Sequence, residues 1–102
     1  MYNVGGGRAV SAYFIANILI HDEEEYQKYL ERVDEVFRKF NGKYLAVGKS
    51  PEVLEGAWNY SRAVLIEFPD RESLKAWYYS SEYQEIVRHR LSAAACDTII
   101  VE

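Results

Sequence analysis

The stretch SAYFIANILIHDEEEYQKYL, residues 11–30, joins an apolar segment to an acidic one. Its first ten residues are rich in β-branched and aromatic types, which favour a strand. Both alternating sets are largely apolar: Tyr13, Ile15 and Leu19 in one, and Phe14, Ala16, Ile18 and Ile20 in the other. A strand that is apolar on both faces has to be covered on both. The stretch therefore predicts a strand, residues 11–20, that lies between two layers.

The acidic half of the stretch has the signals of a helix start. Asp22 is a typical N-cap, and the acidic residues 23–25 after it suit the positive end of the helix dipole. One apolar stripe follows at spacings of three and four, made of Tyr26, Leu30, Val33, Phe37 and Phe40. Asn41 and Gly42 supply a left-handed stop, so the helix is expected to end near Phe40.

The remaining segments complete a recognisable order of elements. Strands are predicted over 43–47, 62–68 and 97–101, with a helix capped by Asp70 and another, capped by Ser80 or Ser81, over 82–94. The order β-α-β-β-α-β predicts an α+β fold, a ferredoxin-like four-stranded antiparallel sheet with the helices on one face. We expect a single domain over residues 12–102, preceded by a flexible N-terminal extension over residues 1–11, which contain three consecutive glycines.

The strands that are apolar on both faces have a consequence for assembly. Helices on one face leave the other face uncovered, yet residues 63–66 are apolar on both sides, as the first strand is. An exposed apolar surface of that size usually marks an interface. We therefore expect a homodimer in which two sheets pack face to face about a two-fold axis.

Composition narrows the possible partners and the compartment. The net charge of −4 argues against nucleic acid, which needs a clustered positive surface. The apolar run before His21 is interrupted by Asn17 and is too short to span a bilayer as a helix, so no membrane partner is expected. Cys96 is the single cysteine, which favours a reducing cytoplasm, and the spacing of Cys and His predicts no metal site. Neither His21 nor His89 has the setting of a haem ligand, and no cofactor is predicted.

Several short motifs together resemble a known family. They are the segments 41–44 (NGKY), 53–56 (VLEG), 65–69 (LIEFP), 76–78 (AWY) and 80–83 (SSEY), with Trp58 and Arg90. The chain is similar over residues 12–102 to domain-of-unknown-function family 1330, of the dimeric α+β barrel superfamily. The family often has an acidic residue near Asn17 and a proline at Ser81. The resemblance implies a homodimeric barrel but no established reaction; related proteins include cofactor-free monooxygenases, haem-degrading enzymes and muconolactone isomerase-like proteins.

Arg90 is the sharpest candidate for a functional residue. It falls on the inward stripe of the last helix, with Tyr83, Ile86, Val87 and Ala94, whereas Arg88 and His89 point elsewhere. A guanidinium on that stripe needs a partner, and its fork suits a carboxylate. The partner is either the carboxylate or enolate of a small ligand, or a structural group: Glu67, Asp97 or the carbonyls near the end of the helix.

Other residues accompany Arg90 in the predicted site. Glu67 and Asn17 interrupt apolar strands and point either into the barrel or towards the helices. A buried carboxylate could act as acid or base, or it is the structural partner of an arginine such as Arg62 or Arg90. The aromatic residues that could line a pocket are Tyr44, Trp58, Trp77, Tyr78 and Tyr83, although Trp77 and Tyr83 also fit ordinary packing.

We therefore expect a cavity between sheet and helices that binds a small, partly apolar or anionic metabolite. The candidate ligand-binding residues are Asn17, Tyr44, Trp77 and Arg90, and the candidate catalytic residues are Glu67 and Arg90. The nearest chemistry is that of a cofactor-independent isomerase or monooxygenase. The alternative is a noncatalytic dimer that binds a ligand or stabilises a partner.

Overall fold

The computed structural model describes residues 10–102, in which four strands and three helices follow one another. These elements are β1 (Ala12–Ile20), α1 (Glu23–Arg38), β2 (Lys43–Gly48), β3 (Arg62–Phe68), α2 (Arg71–Tyr78), α3 (Ser81–Ala93) and β4 (Ala94–Val101). The predicted N-terminal extension, residues 1–11, lies outside the described residues except for its last two. None of the helices in residues 10–102 is long and apolar enough to cross a membrane.

The four strands form one antiparallel sheet in the order β2-β3-β1-β4. The first strand, β1, is central and pairs with β3 from Ala12 opposite Phe68 to Ile18 opposite Arg62. This order confirms the ferredoxin-like fold. Its two central strands, β1 and β3, come from different halves of the chain and pair antiparallel.

The two faces of the sheet have different surroundings. The helix-covered face carries the buried side chains of β1 and β3, which are Ala12, Phe14, Ala16, Ile18, Val64, Ile66 and Phe68. The alternate positions point away from the helices, and we call that side the open face. Two of its apolar side chains, Leu19 and Ile99, are 41% and 56% exposed. The open face is therefore apolar and uncovered in the single chain.

The helix starts agree with their sequence signals. Asp22 Oδ1 accepts a hydrogen bond from the Glu25 amide at 3.1 Å, and Asp70 Oδ1 accepts one from the Ser73 amide at 2.7 Å. Between the two serine alternatives, Ser80 is the cap of α3, since its Oγ accepts from the Tyr83 amide at 3.1 Å. These bonds satisfy amides that have no partner within the helix.

The last strand is longer than predicted. It begins at Ala94, directly after α3, and not at Asp97. Ala94, Ala95 and Cys96 pair with the end of β1, from Ile20 back to Ile18. Alanine favours helix by local propensity, and here pairing in the sheet outweighs that preference.

Candidate functional site

Arg90 lies inside the protein, on the face of α3 that packs against the sheet and α1. Its side chain is 2% exposed. Its Nη2 donates a hydrogen bond to the hydroxyl oxygen of Tyr83 at 3.3 Å, and that hydroxyl lies 2.7 Å from the hydroxyl of Tyr29. The guanidinium carbon also sits 5.6 Å from the centre of the Tyr29 ring, within the range of a cation–π contact. We call Arg90, Tyr83 and Tyr29 the arginine–tyrosine cluster.

The guanidinium of Arg90 has unused hydrogen-bonding capacity. Within residues 10–102, no atom accepts a hydrogen bond from its Nε or Nη1, although both nitrogens are buried. The structural partners considered from the sequence do not supply one. Glu67 instead contacts the Tyr13 hydroxyl at 3.2 Å and the ammonium of Lys43 at 3.5 Å. Asp97 accepts a hydrogen bond from Tyr60.

The tyrosines of the cluster carry no charge to balance Arg90. Burial raises the pKa of Tyr29 well above its usual value, and burial likewise raises the pKa of Tyr83. Both phenols are therefore neutral near pH 7, where even an unperturbed tyrosine (pKa about 10) is protonated. A guanidinium is always charged in proteins. The site thus holds a buried positive charge with hydrogen-bonding partners but without a counter-ion among the described residues.

A small cavity lies between α1, α3 and the helix-covered face of the sheet, and we call it the helix–sheet cavity. Its polar and aromatic lining comes from Tyr26, Tyr29, Tyr44, Arg62 and Arg90, and Leu30 with apolar strand side chains completes it. Its volume is about 10 Å³. That is close to the smallest space that holds one water molecule, so a larger ligand requires side chains to move.

Two of the four predicted ligand-binding residues, Tyr44 and Arg90, line this cavity together. The Tyr44 ring packs edge-on against Phe37, with centroids 4.9 Å apart. Burial raises the pKa of Tyr44, and the nearby Asp34 raises that pKa further. Trp77 is fully buried behind the cluster, with its ring centroid 4.2 Å from that of Tyr83. Trp77 does not line the cavity, but it packs against the tyrosine that contacts Arg90.

The other predicted residues lie across the sheet. Asn17 is opposite Asp97 on β4 and Ala63 on β3, and Glu67 belongs to the same open face. The sheet itself separates both side chains from Arg90. Of the remaining aromatic candidates, Trp58 lies in the segment between β2 and β3, where its ring stacks edge-on with Tyr60 at 5.1 Å.

Arg62 was not among the candidate site residues predicted from the sequence, where it was considered only as a structural partner of a buried carboxylate. It lines the helix–sheet cavity, and its guanidinium carbon lies 5.7 Å from the centre of the Tyr26 ring. Its buried Nε has no acceptor within residues 10–102. The signal that could have found it is the two-residue period of β3, which places Arg62 on the same face as Val64 and Ile66.

His89 belongs to a different contact. The sequence predicted that it points away from the inward stripe of α3; in the structure its side chain is only 20% exposed, and its Nδ1 lies 2.5 Å from Glu25 Oε2. The pair joins α3 to α1. No group of three or more His, Cys, Asp or Glu side chains that could hold a metal occurs in the described part of the chain.

The comparison with protein families agrees with the geometry of the fold. A family described as Domain of unknown function (DUF1330) matches residues 11–102. The chain belongs to this family. No protein with a curated function matches it by sequence.

Solved structures of other proteins share the fold. A protein of unknown function from Rhodopseudomonas palustris, RPA0582, is 19% identical with a TM-score of 0.78, over 92% of this chain and 82% of that chain. A dimeric ferredoxin-like protein of unknown function from Jannaschia sp. CCS1 is 11% identical, with a TM-score of 0.67, over 91% and 99%. The cofactor-independent oxygenase SnoaB from Streptomyces nogalater is 10% identical, with a TM-score of 0.67, over 92% and 93%. At these identities the likeness establishes the fold and leaves the activity open.

Proposed function

We propose that this family member is a homodimer that binds a small, partly apolar anion in the helix–sheet cavity, with Arg90 as its anchor. The observation that carries the proposal is the buried guanidinium whose Nε and Nη1 have no acceptor among the described residues. Buried polar groups are nearly always hydrogen-bonded, and buried charges are nearly always paired. A carboxylate or enolate would supply both the acceptor and the missing negative charge.

The energetics favour a ligand over a purely structural role. Leaving a buried donor without a partner costs about 1–3 kcal/mol, and more for a charged group. An apolar side chain of similar volume would avoid that cost. The chain instead holds Arg90 in place with Tyr83 and Tyr29, and leaves two donors free for an oxygen ligand. Arg–carboxylate contacts are among the stronger hydrogen bonds in proteins.

The other lining residues of the cavity indicate what kind of ligand would fit. Tyr26, Tyr29 and Tyr44 present aromatic surface, which suits a flat or apolar body next to the charged group. The cavity is small, so binding of a ligand would shift the protein towards a more open arrangement of the lining side chains. Trp77 supports the site from behind by holding the ring of Tyr83.

The open face is where we place the second copy. Its apolar side chains include Ile15, Leu19, Leu65, Ile99 and Val101, and strands alternate so that all of them project from the same side of the sheet. Covering this surface with an identical sheet would bury it in a closed two-fold interface. The Jannaschia protein, which has the same fold and is described as dimeric, supports self-association. A chain with the single Cys96 suits the reducing cytoplasm.

Binding is better supported than catalysis. Among the described residues that line the helix–sheet cavity there is no carboxylate and no histidine to act as a base, since Glu67 lies across the sheet. The catalytic alternative is an isomerase or monooxygenase-like reaction in which Arg90 stabilises an enolate. The oxygenase SnoaB shows that the fold supports cofactor-independent oxygen chemistry in that protein. Oxygen uptake with a 1,3-dicarbonyl compound, present in the wild type and absent in Arg90→Met, would favour the catalytic alternative.

The binding proposal is tested by a thermal-shift screen with matched probes. Benzoate, hexanoate and acetoacetate are compared with benzamide and hexanamide, on the wild type, Arg90→Met and Arg88→Ala. Arg88 is the control, because it is an exposed arginine on the same helix whose contacts are to Glu85. We expect carboxylates to raise Tm in the wild type and in Arg88→Ala, and not in Arg90→Met. No shift with any carboxylate, or equal shifts in all three proteins, would contradict the proposal.

A further inference from the structure

A larger cleft adjoins the helix–sheet cavity on the outside of the molecule. Its volume is about 310 Å³, and its exposed rim includes Glu23 and Gln27 of α1, Lys49 after β2 and Ser61 before β3. We call it the outer cleft. Ligand sites for small molecules usually have volumes of about 300–1,000 Å³, so the outer cleft, unlike the inner cavity, can hold the body of a small metabolite.

The outer cleft and the inner cavity meet at two side chains. Leu30 and Arg62 line both spaces. Both are partly exposed, and Leu30 also packs against the core. These two side chains mark where the two spaces adjoin.

The charges along this route favour an anion. Lys49 lies in the outer cleft, Arg62 at the junction and Arg90 in the inner cavity, whereas Glu23 is the one acidic side chain among the described lining residues. Successive positive groups along a cleft raise the local concentration of an anion and guide it inwards.

Arg62, like Arg90, has no carboxylate partner among the described residues. It forms no ion pair with a carboxylate of residues 10–102, and its buried Nε is without an acceptor there. Its guanidinium carbon instead lies over the ring of Tyr26, at a cation–π distance. Such a contact helps to position an arginine while its N–H groups are available to an incoming oxygen.

We infer that Arg62 is a second anion-contacting residue and that the ligand reaches the site through the outer cleft, an inference that rests on the proposed function. The ligand is an amphipathic carboxylate or enolate. Its charged end passes Leu30 and is held by Arg62 and Arg90, while its apolar body remains in the outer cleft against Ile20 and Leu30. Leu30 closes the junction when no ligand is bound.

The experiment follows the arginine side chains directly. Two-dimensional ¹H–¹⁵N NMR of the Nε–H groups is recorded during titration with benzoate, with benzamide as the neutral control. We expect benzoate to shift the signals of both Arg62 and Arg90, and benzamide to shift neither. The variant Arg62→Gln is expected to weaken benzoate binding by roughly tenfold to a hundredfold, the effect of losing a charge-assisted hydrogen bond. Its matched control is Arg38→Gln, which changes an exposed arginine of α1 outside both cavities.

The role of Leu30 is read from the rate of binding. Leu30→Ala removes the side chain that closes the junction, so NMR line shapes are expected to show faster association of benzoate. The backbone amide spectrum of each variant shows whether it remains folded, and Leu30→Val replaces Leu30→Ala if the latter unfolds. Association that is unchanged or slower in the folded variant contradicts the inferred route.

The outcomes separate the two proposals. If benzoate shifts Arg90 but not Arg62, or if Arg62→Gln binds benzoate as the wild type does, the inference about Arg62 is wrong and the binding proposal stands. If neither benzoate nor hexanoate shifts the Arg90 signal, the binding proposal itself is wrong. Shifts of both arginines together with weaker binding by Arg62→Gln support both.

Discussion

The Nη2 atom of Arg90 donates a hydrogen bond to the Tyr83 hydroxyl at 3.3 Å, seven residues earlier on the same helix. Tyr83 is in turn joined to Tyr29 of α1, so the arginine is positioned by two helices. This network leaves part of the guanidinium without a partner in residues 10–102. The hydrogen bonds therefore orient the guanidinium of Arg90 and do not neutralise its charge. This is the arrangement that the proposed anion site requires.

Removal of the Tyr83 hydroxyl should destabilise the protein. Tyr83→Phe keeps the ring packed against Trp77 but leaves Nη2 of Arg90 without its acceptor. We expect a loss of about 1–3 kcal/mol in the free energy of unfolding, measured by urea denaturation. Tyr78→Phe is the control, since the Tyr78 hydroxyl makes no hydrogen bond within the described residues; equal losses in the two variants would contradict the role given to Tyr83.

Replacement of Arg90 itself, by contrast, should leave the stability of the protein unchanged or raise it when no ligand is present. Arg90→Met fills a similar volume without a buried charge, so we expect stability equal to the wild type or higher by about 1–4 kcal/mol. Urea denaturation in ligand-free buffer checks this. A large destabilisation would show that Arg90 is a structural residue, and the binding proposal would lose its main support.

At position 42 only a glycine fits without a steric clash, whereas Asn41 is suited to its position by its backbone conformation. Asn41 has the left-handed φ of 66° that ends the first helix, whereas a Cβ on Gly42 would lie 2.7 Å from a ring carbon of the buried Phe68. Gly42→Ala should therefore cost about 1–3 kcal/mol through overpacking. Asn41→Gly should be tolerated, because glycine adopts positive φ readily. Thermal unfolding of the two variants distinguishes them; a harmless Gly42→Ala would refute the close contact.

A charge on the open face should dissociate the proposed dimer. The wild type is expected to have about twice the chain mass of 11.8 kDa by size exclusion with light scattering. Ile99→Glu would bury an unpaired carboxylate in the sheet–sheet interface and should yield monomers. Leu91→Glu, on an exposed apolar position of α3, is the control and should remain dimeric. A monomeric wild type at micromolar concentration would rule out the interface.

Acid should weaken the cap of the second helix. The hydrogen bond from the Ser73 backbone amide lowers the pKa of Asp70 in the folded protein. The stabilisation is thus present above the unfolded pKa and is lost as the pH falls through the lower, folded value. Asparagine caps helices about as well as aspartate and does not titrate. We expect Tm to fall more in the wild type than in Asp70→Asn between pH ~7 and ~3; parallel curves would contradict this.

Much of the fold could be predicted because its signals are local. The limits of β3 at Arg62 and Phe68 follow from a run of strand-forming residues before Pro69, and the capping aspartates mark two helix starts within three residues of the amides that they bind. The start of β4 could not be predicted in the same way. Ala94 to Cys96 have no local preference for a strand, and they are extended because β1 offers them an edge to pair with.

The candidate site shows the same division more clearly. From the sequence alone, the helical period placed Arg90 on an inward face, and the alternation of β1 and β3 predicted a sheet with apolar residues on both sides. Only the tertiary structure decided that Arg90 and Tyr83 meet Tyr29 of α1, 54 residues before Tyr83, rather than Glu67 or Asp97. Periodicity assigns a side chain to a face of its own element. The partner across that face depends on how the elements pack. Here the packing put Arg62 and Arg90 on the lining of one cavity and the sheet between Arg90 and Glu67.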